Sequence, residues 1–412
     1  MERRVAVTGI GVVTPIGVGK DAFWVAAREG RSGLGRPTLV DHPNLPVQVV
    51  GEVKDFDHAV HMSRKVSVRT DRNTHFAFAA CGEALEDSGL DLEQEDSTRV
   101  GLVMASNYGG LSFFLDGLVK LHQQGPSFVS AYMAIAWIPS APVGQLSIKH
   151  KIHGYAKTLI NDAAGGTDAI GTAYRAVRRG DADVIIAGGF EAAIAEAAIA
   201  GLAAFDQVCR DAPDPATAFR PFNEDRPGIV IGEGGGIVIA EELERAQARG
   251  ATIYGEIVGF AQTSDAVGIK HFDPEGTQYA RAMTLALEQG GLRGADVDLV
   301  TADGRGTEEG DRSEARALAR VFGEGLADVP VSAPKSMVGN TLGGAGGIDV
   351  AFTLLAMRDG VIAPTINVER QDLECRLDLV VGSPREAPVD VALVGSRGTT
   401  GVNAALALRR TI

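Results

Sequence analysis

The chain repeats part of its pattern about half a length apart. The segment Ala84–Leu90 (ALEDSGL) recurs as Ala286–Leu292 (ALEQGGL) in a sequence of 412 residues. In both copies a helical pattern ends at glycine, the usual left-handed helix cap, and an apolar strand follows. One such echo also arises by chance, but its half-chain offset favours duplication. The sequence therefore predicts two similar halves, joined through the charged stretch Glu241–Thr252 that leads to Gly250.

Short apolar runs and longer helical patterns alternate along both halves. The predicted strands are Val5–Val13, Val100–Met104, Val184–Ala187, Ile229–Ala240, Ile253–Phe260, Leu299–Ala302 and Val391–Val394. The predicted helices are Thr74–Ser88, Asp168–Arg179, Thr277–Gln289, Asp311–Val321 and Gly347–Arg358. Such alternation is typical of layered α/β proteins with buried strands. Together with the repeat, it predicts a pseudo-twofold fold of five αβαβα layers, with halves at residues 1–250 and 251–412.

Composition and patterning argue against several classes of function. A net charge of −14 leaves little basic surface for neutralising phosphates, so we expect no nucleic-acid partner. The three cysteines, Cys81, Cys209 and Cys375, are too far apart in sequence to indicate a disulfide framework or a metal cluster. No apolar run approaches the ~18 residues that cross a bilayer, and no secretory signal precedes the first strand. We therefore expect a cytoplasmic protein without metal, cofactor or membrane partner.

Four sets of motifs follow one another along the chain. They are Val5–Pro15, Phe219–Asn223 with Gly232–Gly236, Lys335–Asn340 with Gly343–Gly346, and Pro364–Asn367. In this order they resemble the β-ketoacyl synthases of the thiolase superfamily, over nearly the whole chain. The resemblance implies a thiolase-like fold and decarboxylative condensation, in which a cysteine thiolate holds the acyl chain and two histidines stabilise negative charge.

The catalytic positions of that family carry other side chains here. The nucleophile position falls on Ala163, and the two histidine positions fall on Asp303 and Asn340. The last histidine of the chain, His271, precedes both histidine positions, so no shifted histidine replaces them. We expect Asp303 to be an unpaired turn carboxylate, with a working acid as the less favoured alternative. We expect Asn340 to be structural, bonded to the late glycine-rich loop.

The residues around these positions follow the family pattern more closely. Lys335, Asp311 and Glu314 are retained as a supporting set, and we expect Lys335 and Glu314 to form a buried pair. Thr399 stands where the family has a gating phenylalanine. The resemblance therefore implies a retained scaffold that has lost all three catalytic side chains.

A subfamily fits this description. Chain-length factors, the β subunits of bacterial type II polyketide ketosynthases, lack the catalytic cysteine. The segments that resemble theirs are Asp162–Ala169, Ala302–Gly304, Gln124–Ser130, Ala136–Trp137 and Gly144–Ile148. The resemblance implies heterodimerisation with a catalytic ketosynthase α subunit and service to an acyl carrier protein. Many members carry glutamine at the position of Ala163, so the priming role proposed for that glutamine does not transfer to this chain.

An apolar stripe follows helical spacing in the first half. It comprises Leu111, Phe114, Leu115, Leu118 and Leu121. Periodicity alone favours core packing for such a stripe. In chain-length factors the matching helix lines the tunnel at the heterodimer interface, and its gating positions fall here on Leu111, Phe114 and Leu118. Phe114 would shorten the tunnel and the two leucines would lengthen it, so the sequence does not fix a product length.

Three functions remain open from the sequence. The first is a non-catalytic chain-length-factor subunit that shapes a tunnel for a growing polyketide or polyene. The second is an enzyme with altered chemistry on the same fold, a malonyl decarboxylase or acyltransferase that uses Asp303. The third is a purely structural stabiliser of a ketosynthase.

Overall fold

The computed structural model describes residues 3–42, 44–204 and 207–411. Its strands are β1 (Val5–Thr14), β2 (Gly17–Val18), β3 (Leu34–Gly35), β4 (Val50–Gly51), β5 (Val100–Ala105), β6 (Ala156–Leu159), β7 (Val184–Glu191), β8 (Ile231–Gly232), β9 (Gly234–Glu242), β10 (Gly255–Ser264), β11 (Leu299–Thr301), β12 (Pro330–Ser332), β13 (Val361–Ile362), β14 (Asp378–Leu379), β15 (Arg385–Glu386), β16 (Val391–Arg397) and β17 (Val402–Arg409). Its α-helices are α1 (Lys20–Arg28), α2 (Arg64–Ser67), α3 (Arg72–Ser88), α4 (Leu111–Gln124), α5 (Met133–Ala136), α6 (Ala141–His150), α7 (Gly165–Arg179), α8 (Glu196–Ala204), α9 (Leu243–Ala248), α10 (Thr277–Gln289), α11 (Glu308–Phe322), α12 (Lys335–Val338) and α13 (Ala345–Asp359).

The main sheet contains the same strand order twice. From the outer edge to the centre, one side runs β6, β5, β7, β9, β1, and the other runs β12, β11, β16, β17, β10. β14 pairs with β12 and adds one more strand at that outer edge. The two sides meet where β1 pairs antiparallel with β10, with Val5 opposite Ile257. In each half the first strand is central, and the order of five strands ends at β6 on one side and at β12 on the other. This arrangement matches the duplication inferred from the sequence repeat.

Two helices pack against each other between the halves. α7 and α13 form this middle layer, while α3 packs against β1 and β9 and α10 packs against β10 and β17. The contact is close because both helices begin with glycines: a Cβ on Gly166 would lie 2.6 Å from the backbone nitrogen of Gly347, and one on Gly346 would lie 2.1 Å from that of Thr167. The predicted five-layered α/β architecture is confirmed.

The predicted elements agree with the structure except at one strand. The predicted helix Thr277–Gln289 is α10 residue for residue. The predicted continuous strand Ile229–Ala240 is wrong, because it divides into β8 and β9 at Glu233. The buried Glu233 carboxylate accepts hydrogen bonds from Arg72 and from the backbone nitrogen of Val53, which turns the chain locally out of the main sheet. β8 pairs instead with β4 in a small separate sheet.

α9 separates β9 from β10, while the paired β1 and β10 keep the two halves in one sheet. The division into domains at residue 250 stays a prediction. Within residues 3–42, 44–204 and 207–411, no helix combines the length and apolar character needed to span a bilayer.

Candidate functional site

The nucleophile position lies in a tight turn at the start of α7. Ala163 occupies a short 3-10 turn, Asp162–Ala164, that runs directly into the helix, and its side chain is fully buried. Asp162 has a left-handed backbone with φ 51°, which is uncommon for a residue other than glycine. A nucleophile here would benefit from the helix dipole. At the predicted nucleophile position, the structure thus has a buried methyl group in a tight turn before a helix.

The loop between β16 and β17 is bonded to this turn. The backbone N–H of Thr399 donates to Asp162 Oδ2 at 2.5 Å, and its hydroxyl accepts from Arg305 Nη2 at 2.6 Å. Arg305 is 2% exposed, and its guanidinium lies 4.9 Å from the ring centroid of Phe272. Among the described residues, its Nε and Nη1 have no hydrogen-bond partner. At the predicted gating position, the structure thus has a hydrogen-bonded threonine.

Asp303 is a buried ion-pair partner. It is 1% exposed, and its Oδ1 lies 3.4 Å from Lys335 Nζ and accepts from the backbone nitrogen of Arg397 at 3.3 Å. Lys335 also donates to Asp349 Oδ2 at 2.6 Å. The expectation of an unpaired turn carboxylate is therefore wrong, because Lys335 reaches Asp303 from a separate helix. The expected pairing of Lys335 with Glu314 is likewise replaced by its pairing with Asp349 and Asp303.

Burial and charge together determine the protonation of this cluster. Burial alone would lower the pKa of Lys335, but the carboxylates of Asp349 and Asp303 outweigh burial and raise that pKa to about 12. Burial and the nearby Asp303 charge raise the pKa of Glu314 to about 7. The Lys335 ammonium thus shares a water-excluded site with the carboxyl groups of Asp349, Asp303 and Glu314. This arrangement favours the charged form of Lys335 and disfavours a further negative charge on Glu314.

Glu314 and Asp311 hold the loop that carries Asp303. Glu314 accepts from the backbone nitrogens of Asp303 and Gly304 at 2.8 and 2.9 Å. Asp311 accepts from the backbone nitrogens of Gly306 and Phe222 at 2.9 and 2.7 Å. These carboxylates supply the acceptors that fix the loop backbone, so both retained residues have a positioning role in this chain.

Asn340 forms hydrogen bonds with two backbone groups. Its Oδ1 accepts from the backbone nitrogen of Leu342 at 2.9 Å, where the backbone is left-handed with φ 47°. Its own backbone nitrogen donates to the carbonyl of Val230 at 2.7 Å. The side chain therefore holds the start of the late glycine-rich turn, as expected for a structural residue.

Arg397 is a central residue that the sequence analysis did not identify. It is fully buried, with its guanidinium 4.1 Å from the ring centroid of Phe272 and 3.2 Å from Asp265 Oδ2. Its Nε donates to Asn403 Oδ1 at 3.3 Å, which ties the two ends of the loop together. The sequence feature that could have indicated Arg397 is its position as a charged residue at the end of the apolar strand β16, directly before Gly398.

None of the three cysteines replaces the missing nucleophile. Cys81, Cys209 and Cys375 are all buried and free. Burial raises the pKa of Cys81 to about 12 and raises the pKa values of the other two thiols. A thiol with a raised pKa stays protonated near neutral pH and is a poor nucleophile. Among the described residues, no group of His, Cys, Asp and Glu is arranged to hold a metal ion.

Glu191 is a second residue that the sequence analysis missed. It ends β7 and is completely buried, and its carboxylate accepts from the backbone nitrogens of Asn107 and Tyr108 at 2.8 and 3.1 Å. Asn107 in turn accepts from the backbone nitrogen of Asp162 at 3.1 Å, beside Ala163. Glu191 therefore supports the loop that borders the nucleophile turn.

Replacing Glu191 by glutamine is expected to flatten the dependence of stability on pH. Burial raises the pKa of Glu191 from its ordinary 4.5 to about 7. Between these values the folded state retains a proton that the unfolded state has released, so stability falls as pH rises through this window. Over this window Glu191 is expected to lower the free energy of unfolding by at most about 3 kcal/mol.

The free energy of unfolding of the parent and of Glu191→Gln is measured with denaturant from pH 4.5 to 7. If it changes with pH equally steeply in both proteins, the prediction is contradicted.

The predicted tunnel stripe lies on α4. Of the helix, only Gly117 is buried, while Leu111, Phe114 and Leu118 are partly exposed. Phe114 stacks on Trp137 with ring centroids 4.9 Å apart. The stripe is therefore partly covered by this chain and is not part of its fully buried core, and its role in a tunnel stays a prediction.

More apolar surface continues from α4. Phe128, Ile135, Ile148 and Ile160 are exposed by 60%, 52%, 73% and 61%. β6, directly before Ile160, is the edge strand of its half of the sheet. Exposed apolar side chains beside an open strand edge are features of protein interfaces.

The duplicated halves, the shared sheet and the paired helices α7 and α13 between them are features of the thiolase-like ketosynthase fold. Residues 2–246 match the Beta-ketoacyl synthase, N-terminal domain, and residues 254–369 match the Beta-ketoacyl synthase, C-terminal domain. The chain belongs to the β-ketoacyl synthase family.

Curated relatives of this chain are synthases. The 3-oxoacyl-[acyl-carrier-protein] synthase 2 of Staphylococcus aureus (strain COL) is 39% identical over 408 residues, which cover 99% of this chain and 98% of the relative. The protein of the same name from Synechocystis sp. (strain ATCC 27184 / PCC 6803 / Kazusa) is 40% identical over 409 residues, with the same coverage.

Solved structures extend the comparison to polyketide synthesis. A type II PKS ketosynthase in complex with its acyl-carrier protein superposes with a TM-score of 0.93 at 28% identity, and each chain is covered completely. The ishigamide ketosynthase/chain length factor superposes with a TM-score of 0.91 at 29% identity, also with complete coverage.

Proposed function

We propose that this chain is the non-catalytic chain-length-factor subunit of a heterodimer with a catalytic ketosynthase, acting in the cytoplasm on chains carried by acyl carrier protein. The observation that carries the proposal is the buried methyl group of Ala163 at the start of α7. Condensation needs a nucleophile to hold the acyl chain, and this position has none.

The other two catalytic positions support the same conclusion. Asp303 is occupied by its contacts with Lys335 and the backbone of Arg397, and Asn340 by its bond to Leu342. A carboxylate that is already paired with a lysine cannot also supply the neutral donor that a developing enolate needs. These contacts also weigh against the decarboxylase and acyltransferase alternatives.

The uncovered apolar surface supports a partner subunit. The partly exposed stripe of α4, the exposed Phe128, Ile135 and Ile160, and the open edge of β6 lie on one stretch of sequence, residues 111–160. Obligate interfaces are more apolar than other surfaces, and they bury large areas. The ishigamide ketosynthase/chain length factor superposes over the whole chain, and this similarity favours a ketosynthase as the partner.

Omitting this chain from a reconstituted system is expected to reduce polyketide formation to background. The system contains the catalytic ketosynthase α subunit, acyl carrier protein and malonyl donor, and products are measured by mass spectrometry. The two subunits are also expected to copurify in equal amounts. Condensation that proceeds unchanged without this chain contradicts the proposal.

The isolated chain provides the control for the enzymatic alternative. Incubated with malonyl-loaded carrier protein, it is expected to release no carbon dioxide above background, because it has neither the thiolate nor the two histidines. Turnover that Asp303→Asn abolishes would favour the altered-chemistry enzyme over the chain-length factor.

A further inference from the structure

We infer that Trp137 is a positioning residue for the tunnel helix and thereby helps to set the length of the product. This inference rests on the proposed function and concerns a residue outside the stripe Leu111, Phe114 and Leu118. It starts from one aromatic contact, the stacking of Phe114 on Trp137 at 4.9 Å between centroids and 30° between planes.

The backbone of the same segment holds the start of α4. The N–H of Gly110 donates to the carbonyl of Trp137 at 3.0 Å. A Cβ on Gly109 would lie 2.1 Å from that carbonyl oxygen, and one on Gly110 would lie 2.1 Å from the carbonyl oxygen of Ala136. Gly109 also has a left-handed backbone with φ 58°. Glycine at both positions lets the end of α5 press directly against the first turn of the helix.

A third glycine brings the two helices together further along. A Cβ on Gly117 would lie 2.4 Å from Met133 Sδ, so in this arrangement the Met133 side chain occupies the space that a side chain at residue 117 would need. Gly117 is also the buried residue of α4. The segment 133–137 therefore contacts the helix at two levels, beside the contacts that α4 makes with the turn Pro126–Phe128.

The aromatic stack then fixes the direction of the Phe114 side chain. A phenylalanine on a helix has more than one accessible rotamer, and a tryptophan ring packed on its face selects one of them. Trp137 is itself 39% exposed, on the same uncovered apolar side of the molecule. A tunnel wall made by Phe114 therefore depends on Trp137 for its place and its rigidity.

Replacing Trp137 by leucine in the reconstituted heterodimer is expected to shift the main product by at least one extension unit. The shift should be in the same direction as that of Phe114→Ala, and the double variant should shift no further than Phe114→Ala alone. Residues that act through one another give such non-additive effects. Trp137→Phe keeps a ring against Phe114 and is expected to retain the parent product.

The controls separate positioning from stability and from the proposed function itself. Leu373→Ala removes an apolar side chain that is exposed by 81% and lies outside residues 111–160, and it is expected to leave product length unchanged. If Trp137→Leu does not assemble, Trp137→Met offers similar bulk without a ring. A shift with Phe114→Ala but none with either Trp137 variant overturns this inference and leaves the proposed function intact. No shift with any variant at either position overturns both the inference and the tunnel role.

Discussion

Replacing Phe114 by alanine is expected to lengthen the main product of the proposed heterodimer, because this side chain would narrow the proposed shared tunnel. The ring is only partly exposed and stacks on Trp137, so it has a fixed place on the uncovered face of α4. Truncation removes the largest side chain among the three predicted gating positions, and Leu111 and Leu118 leave more room. The product distribution, measured by mass spectrometry, is expected to move by at least one extension unit.

A matched control distinguishes a tunnel wall from a general interface residue. Phe128 is the same residue type, is exposed by 60%, and lies outside the stripe. Phe128→Ala is expected to leave product length unchanged, even where it weakens subunit association. Unchanged length with Phe114→Ala, at normal association, would favour the purely structural stabiliser, at least for this position.

Replacing Lys335 by methionine is expected to lower the free energy of unfolding by about 3–5 kcal/mol. The side chain is 1% exposed and is shared between Asp349 at 2.6 Å and Asp303 at 3.4 Å. Its loss leaves two carboxylates in a water-excluded site without a counter-charge. Chemical or thermal unfolding followed by circular dichroism measures the effect.

Two further variants test the physical reason for that loss. Lys65→Met removes an exposed lysine and is expected to change stability by no more than about 0.5 kcal/mol. Adding Asp303→Asn and Asp349→Asn to Lys335→Met is expected to restore part of the stability, because no unpaired charge then remains buried. A Lys335→Met protein that unfolds at the same point as the parent would show that the ion cluster contributes little.

The sequence predicted the architecture because its signals are local and repeated. Glycine caps after α3 and α10 and the apolar runs of β1, β5 and β11 are visible without any knowledge of contacts. The strand expected over Ile229–Ala240 was wrong because Glu233 is bonded to Arg72, a residue far away in sequence. Such a pairing decides which sheet a strand joins, and a local apolar pattern does not contain it.

The site was predicted less completely than the fold, for the same reason. Motif order placed the three predicted catalytic positions on Ala163, Asp303 and Asn340, and that placement stays a prediction. It did not give the burial of Asp303, since the partners Lys335 and Arg397 come from α12 and β16. The roles of Arg397 and Glu191 could not be predicted either, because each residue ends an apolar strand and belongs to no motif.

The ion cluster around Lys335 also limits what can be rebuilt at this site. Asp303→His would remove a carboxylate from the buried Lys335, and Asn340→His would remove the oxygen that accepts from the backbone nitrogen of Leu342. Each single substitution therefore removes a contact of the folded chain. If the proposed function is right, an engineered catalytic centre in this chain would need compensating changes around Lys335 and Leu342.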